Sequence, residues 1–152
     1  MKYLVFFLTA VVLFAAEVEI TADKFVADEA KGVSIFNGNV HVIRGKDELK
    51  ADKVVIKFDK KRQPILYTAT GHAQAKLGIK GKRYFARGEI LIYNPIAQKY
   101  TIRKNAFLQE VNKDKEIYAE VINVDQAKGY YEVNSKKNRP VKFIFKLKDK
   151  KK

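Results

Sequence analysis

The chain has 152 residues, 47% hydrophobic and 32% charged, a length and balance that favour one domain with a single core and exclude wholesale disorder. With no Cys and only 2 His it has no disulfide framework, Cys-based zinc site, iron–sulfur cluster or thiol nucleophile, and little room for a His-based triad. Lys and Arg number 31 against 17 Asp and Glu, a net charge of +14 that predicts anionic partners without naming them.

The chain opens on Met1-Lys2, a charge-free run from Tyr3 to Phe14, and Ala15-Ala16 before Glu17. This is the order of a secretory signal peptide. As a helix, Tyr3 to Ala16 spans roughly 21 Å, short of the roughly 30 Å hydrocarbon core, so a cleaved signal over 1–16 is expected rather than an anchor. A cut after Ala16 places Phe14 where a small residue is preferred, which leaves the tethered alternative open. A lipoprotein anchor is excluded because no Cys follows.

From Glu17 onward the pattern is that of strands. Val18 to Thr21 is the first. Val54, Ile56 and Phe58 share one face of a second, and Val141, Phe143, Phe145 and Leu147 share one face near the C-terminus, opposite mostly Lys. Period-two alternation of this kind marks half-buried strands. Turn signals fall every 8 to 12 residues, among them Lys31-Gly32, Asn37-Gly38, Arg44-Gly45, Gly78 to Gly81 and Lys128-Gly129. An all-β sandwich, jelly roll or solenoid is predicted over 17–147, with 148–152 as a basic tail.

The strands repeat. Gly38-Asn39, Gly71-His72, Lys104-Asn105 and Lys137-Asn138 are each 33 residues apart. A second mark, Ala-Asp or its relatives, recurs at Ala22-Asp23, Ala51-Asp52, Ala86 to Glu89 and Ala119-Glu120. A unit of about four short strands cannot bury its own apolar face, but stacked copies can, and the stack ends in open edges.

Three ordered pieces carry a resemblance: Ile20 to Lys24, Phe36 to Val42 with Gly45, and Leu49 to Ile56. Together they resemble the OstA/LptA family of periplasmic lipopolysaccharide-transport proteins, with looser copies from Gly71 and Ala86 onward. The resemblance implies a twisted, open antiparallel β-jelly roll that carries acyl chains of lipopolysaccharide or lipooligosaccharide in an apolar groove. It implies end-to-end self-association, and as partners an inner-membrane-anchored transport protein of the same fold and the N-terminal domain of an outer-membrane translocon. A membrane-tethered adaptor of the same fold and an extracytoplasmic polyanion-binding structural protein are the alternatives.

Under this reading, alternation assigns the groove to Val18, Ile20, Phe36, Val40, Val42, Val54, Ile56, Phe58, Ile90, Ile92, Ala106, Leu108, Val121, Phe143 and Phe145. Residues 76–104 hold 8 basic and 1 acidic residue, and Lys80, Lys82, Arg83 and Arg87 are the candidate phosphate rim. No catalytic residue, metal or cofactor is expected. Gly78 to Arg83 lacks the order of a phosphate loop and is followed by no helix, and His41 and His72 are read as ordinary rim or surface histidines. The charge comes with no nucleic-acid recognition module, so no nucleic-acid partner is expected.

Overall fold

The computed structural model describes residues 17–112 and 115–147. The expected leader, 1–16, and the expected tail, 148–152, lie outside the described residues. The strands are β1 (Val18–Thr21), β2 (Lys24–Asp28), β3 (Val33–Arg44), β4 (Asp47–Phe58), β5 (Pro64–Ile79), β6 (Lys82–Asn94), β7 (Lys99–Glu110), β8 (Lys115–Asp125), β9 (Tyr130–Asn134) and β10 (Lys142–Phe145). They form one open antiparallel sheet in the order β1-β3-β4-β5-β6-β7-β8-β10, with β2 beside β3 and β9 beside β8. The all-β, open antiparallel architecture expected from the sequence is the one observed.

Strands β3 to β8 run for 11 to 16 residues, about twice the usual length, and each is bent near its middle. The bends coincide with register shifts at Asn37/Val40, Lys50/Lys53, Thr70/Ala73, Arg87/Ile90 and Arg103/Ala106. This aligned column of bulges divides the sheet into two half-sheets. One contains β2 and β9, the other β1 and β10, and they fold toward each other about the column.

At its first three marks the 33-residue repeat is the bend itself; at the fourth, Lys137-Asn138, only Asn138 is left-handed (φ 69), and it lies in the turn between β9 and β10. Gly38-Asn39 (φ 85 and 47), Gly71-His72 (83 and 48) and Lys104-Asn105 (64 and 55) are paired left-handed residues on β3, β5 and β7. Opposite them stand Asp52, Glu89 and Glu120 on β4, β6 and β8, the residues of the Ala-Asp mark. Asn39 Nδ2 donates to Asp23 at 2.9 Å, and His72 Nδ1 donates to Asp52 at 3.0 Å. The glycine is required at the first two copies. A Cβ at Gly38 or Gly71 would overlap the side chain of Asp23 or Asp52, and φ there suits glycine best. Asn37-Gly38, expected as a turn, is therefore a bend within β3. Each repeat is one hairpin of two long strands, and the bends cut those into four short segments.

Two apolar rows cross the inner face. One runs Phe25, Phe36, Val54, Ala69, Leu91, Ile102, Ile122, Val133 through successive strand partners. The other runs Ile20, Val42, Leu49, Ala75, Ala86, Leu108, Ile117, Phe143 on the second half-sheet. Beside the bend the pairs are Val40 with Ala51, Ala73 with Gly88 and Ala106 with Ala119. Small residues there let the half-sheets approach. A Cβ on Gly88 would come within 2.8 Å of Ile102 Cγ2. Val54 and Ile122 have no exposed surface at all.

Candidate ligand-binding cleft

Between the half-sheets lies a cleft of about 1030 Å³, part of it open to solvent. Its walls are Ala69, Leu91 and Ile102 from one half-sheet and Leu49, Ala75, Leu77, Ala86 and Leu108 from the other. Further from the bend, the first half-sheet presents a row of phenols. Tyr67, Tyr93 and Tyr100 are consecutive strand partners, with ring centroids 5.9 and 4.6 Å apart, the second pair stacked. Tyr131 continues the row beyond Val124. The second half-sheet faces it with Arg44, Asp47, Leu77, Tyr84 and Glu110. Burial, above all, holds the phenols of Tyr67, Tyr84 and Tyr100 in the neutral form by raising them above their ordinary value of 10.0.

The groove residues assigned by alternation fall into three groups. Ile20, Phe36, Val40, Val42, Val54, Ile56, Phe58, Ala106 and Leu108 lie in or against the two inner clusters, and Val42 and Leu108 also border the cleft, as does Val18. Phe143 and Phe145 lie on the edge strand β10, 55% and 50% exposed. Ile90, Ile92 and Val121 stand in outer rows. Ile90 and Val121 pair with Arg103, and Ile92 pairs with Thr68 and Thr101, the latter hydrogen-bonded to Asn123. Ile92 and its partner Thr101 nevertheless border the cleft. The acid of the bend is the reason for the outer rows: on β6 and β8 the inner face passes from Gly88 to Leu91 and from Ala119 to Ile122, three residues on, so strict alternation slips by one.

The four rim candidates do not form one site. Lys80, at φ 51, and Lys82 are exposed at the β5–β6 turn. Arg83 donates to Asp47 Oδ1 at 3.2 Å and to the Lys46 carbonyl at 2.8 Å. Arg87 is on the outer face, with its guanidinium carbon 4.3 Å from the centroid of Phe107. Nor do the histidines meet: His41 binds Glu48 on the outer face, and His72 binds Asp52 at the bend. Hydrogen bonding to His41 lowers the Glu48 carboxyl, and hydrogen bonding to Asp52 raises the His72 imidazole. Among the described residues no cluster of three or more metal-ligating side chains occurs.

The alternation-based assignment left out Leu77, Tyr84, Leu91 and the tyrosine row. Leu77 and Tyr84 were within reach of it, since Ala73, Ala75, Leu77 and Ile79 alternate and Tyr84-Phe85-Ala86 does too. Leu91 and Tyr93 were hidden by the slip at the bend.

Comparison with known proteins agrees with this geometry. A search of curated proteins gives no match. Among solved structures, the chain is similar to one titled LptH, the LptA homologous periplasmic component of the conserved lipopolysaccharide transport device from Pseudomonas aeruginosa. The TM-score is 0.75 at 17% identity, over 86% of this chain and 96% of that one, a likeness of fold. The family described as LptA/(LptD N-terminal domain) LPS transport protein matches residues 19–130, from β1 to the start of β9. With most of the bent sheet inside that match, the chain belongs to the LptA/LptD N-terminal domain family of lipopolysaccharide-transport proteins.

Proposed function

We propose that this protein is a non-enzymatic periplasmic carrier. It binds the acyl chains of lipopolysaccharide in the cleft between its half-sheets and passes them from the inner toward the outer membrane. The observation that carries this reading is the cleft: an open, largely apolar trough walled by Leu, Ile and Ala side chains. Acyl chains bind such a surface by the area they remove from water, about 0.8 kcal/mol per buried CH₂. That mode of binding needs no fixed catalytic geometry.

The two ends of the sheet fit a role as a bridge. Among the described residues, β1 and β2 at one end, and β9 and β10 at the other, each have a strand partner on one side only. The apolar rows run out to these edges at Ile20 and Phe25 and at Val133 and Phe143. A strand added from a second copy, from an inner-membrane-anchored protein of the same fold or from an outer-membrane translocon would continue both the ladder and the trough.

The test uses the absence of Trp from the chain. A Leu77→Trp variant places one indole in the cleft wall. Lipooligosaccharide should shift its emission to shorter wavelength, with little dependence on salt, and the de-acylated saccharide should leave it unchanged. A response to both that disappears at high salt would instead identify a charged surface that binds polyanions.

A further inference from the structure

Among the described residues that border the cleft, Arg44 is the one cation. It is the last residue of β3, in the same cross-strand row as Val18 and Asp47. Its side chain is 51% exposed, and its Nη2 lies 4.0 Å from Asp47 Oδ2, beyond hydrogen-bond length. Asp47 is already engaged through its other oxygen, which accepts from Arg83 Nη1 at 3.2 Å and from the Gly78 amide at 3.0 Å. Two guanidinium groups therefore share Asp47, and the other acid that borders the cleft, Glu48, is engaged by His41, which leaves Arg44 the less committed of the two guanidinium groups. Across the mouth stand the phenols of Tyr67 and Tyr100. Burial raises both, and the Arg44 charge works in the opposite direction, which places it within electrostatic reach of each.

We propose that Arg44 is an anion-recognising subsite at the mouth of the cleft, so that the cleft selects amphiphiles whose acyl chain ends in a phosphate headgroup. The guanidinium pairs with phosphate oxygens, and the neutral phenols opposite supply hydroxyl donors. Asp47 keeps the subsite weak enough to release its ligand: it lowers the local positive potential and is itself fixed by Arg83. The exposed lysines of the β5–β6 turn have no such position beside the acyl wall. This inference rests on the acyl-cleft reading above and adds an orientation to it, with the charged head at Arg44 and the chain toward the bend.

Three matched probes test it in native mass spectrometry at neutral pH, below their micelle concentrations. They are palmitoyl lysophosphatidic acid, monopalmitoylglycerol with the same chain and no charge, and glycerol 3-phosphate with the same head and no chain. The protein should bind the lysophosphatidic acid about tenfold tighter than the neutral glyceride, the effect of one added charge-assisted hydrogen bond. Arg44→Gln should erase that difference and leave glyceride binding unchanged. Arg44→Lys should restore part of it, and Lys57→Gln, on the outer face, should leave it intact. Asp47→Asn keeps an acceptor for the Gly78 amide and should tighten the lysophosphatidic acid several-fold, so the subsite is tested by gain as well as by loss. Equal binding of the two lipids overturns the subsite alone. Glycerol 3-phosphate binding as tightly as the lipid reassigns Arg44 to free phosphate and overturns the amphiphile. Binding of neither lipid overturns the subsite and the acyl cleft together.

Discussion

The hydroxyls of Tyr84 and Tyr131 meet at 3.4 Å across the mouth of the cleft, one from each half-sheet. Burial first, then this contact, raises the Tyr84 phenol above its ordinary 10.0. The folded chain thus keeps a proton that the unfolded chain releases, and stability must fall as pH rises. The stabilisation is complete below pH 10 and declines as pH climbs through the raised values of Tyr84, Tyr100 and Tyr67. Urea midpoints at pH 8, 10 and 11 should drop in that order. Tyr84→Phe should cost about 0.5 kcal/mol at pH 8 and show a shallower decline. An identical decline in the variant would remove Tyr84 from the account.

The bend makes an asymmetric pair of predictions. Gly71 sits at φ 83 against the Asp52 side chain, so Gly71→Ala should destabilise by about 1–3 kcal/mol. Lys104 occupies the equivalent place in the third repeat at φ 64, where a left-handed lysine is strained by about 1–2 kcal/mol. Lys104→Gly should therefore leave stability unchanged or raise it by about 0.5 kcal/mol, since glycine's greater freedom when unfolded offsets part of the relief. Thermal melts of the two variants decide it, and a Lys104→Gly loss as large as that of Gly71→Ala would refute the equivalence.

Neighbours on β8 should behave oppositely. Ile122 has no exposed surface and touches both half-sheets' cluster, so Ile122→Ala should cost about 2–5 kcal/mol. Val121 stands on the outer face beside Arg103, and Val121→Ala should cost less than about 1 kcal/mol. Equilibrium unfolding in urea measures both, and a reversed order would mean that the β8 register is wrong.

Phe143 and Phe145, with centroids 5.3 Å apart, form an exposed aromatic pair on the edge strand β10. If that edge receives a second copy, Phe143→Glu should lower the mass-average size seen by light scattering at high protein concentration. The melting temperature should move little, because the side chain is already 55% exposed. Unchanged association in the variant would place the contact elsewhere.

Much of the fold is legible in the sequence because period-two alternation and the 33-residue mark are local signals. Val54, Ile56, Ala106 and Leu108 face inward as their alternation dictates. What alternation does not carry is the bulge. Nothing in Glu89-Ile90-Leu91-Ile92 marks the residue at which the inner face changes parity, since Ile90, Leu91 and Ile92 are all apolar. The side of the sheet is settled there by the partner strand, where Gly71-His72 sits opposite Glu89. The rim candidates are dispersed for a related reason. The basic residues of 76–104 cluster in sequence, but Arg87 alternates outward from Ala86 and Arg83 is held by Asp47, 36 residues earlier. Arg44, the cation that does border the cleft, lies in a stretch of nearly balanced charge and carries no compositional flag.

The bend column also governs how such a domain changes size. Each of the three bent copies brings its own left-handed pair, its own acid and its own small residues at the fold line, so it arrives as a complete hairpin already creased in the right place. Inserting or deleting one copy would lengthen or shorten the trough by two strand spacings, about 9.5 Å, while its cross-section stayed the same. Channel length is in this sense an integer property of the gene, counted in hairpins, and channel width is fixed separately by the residues at the crease.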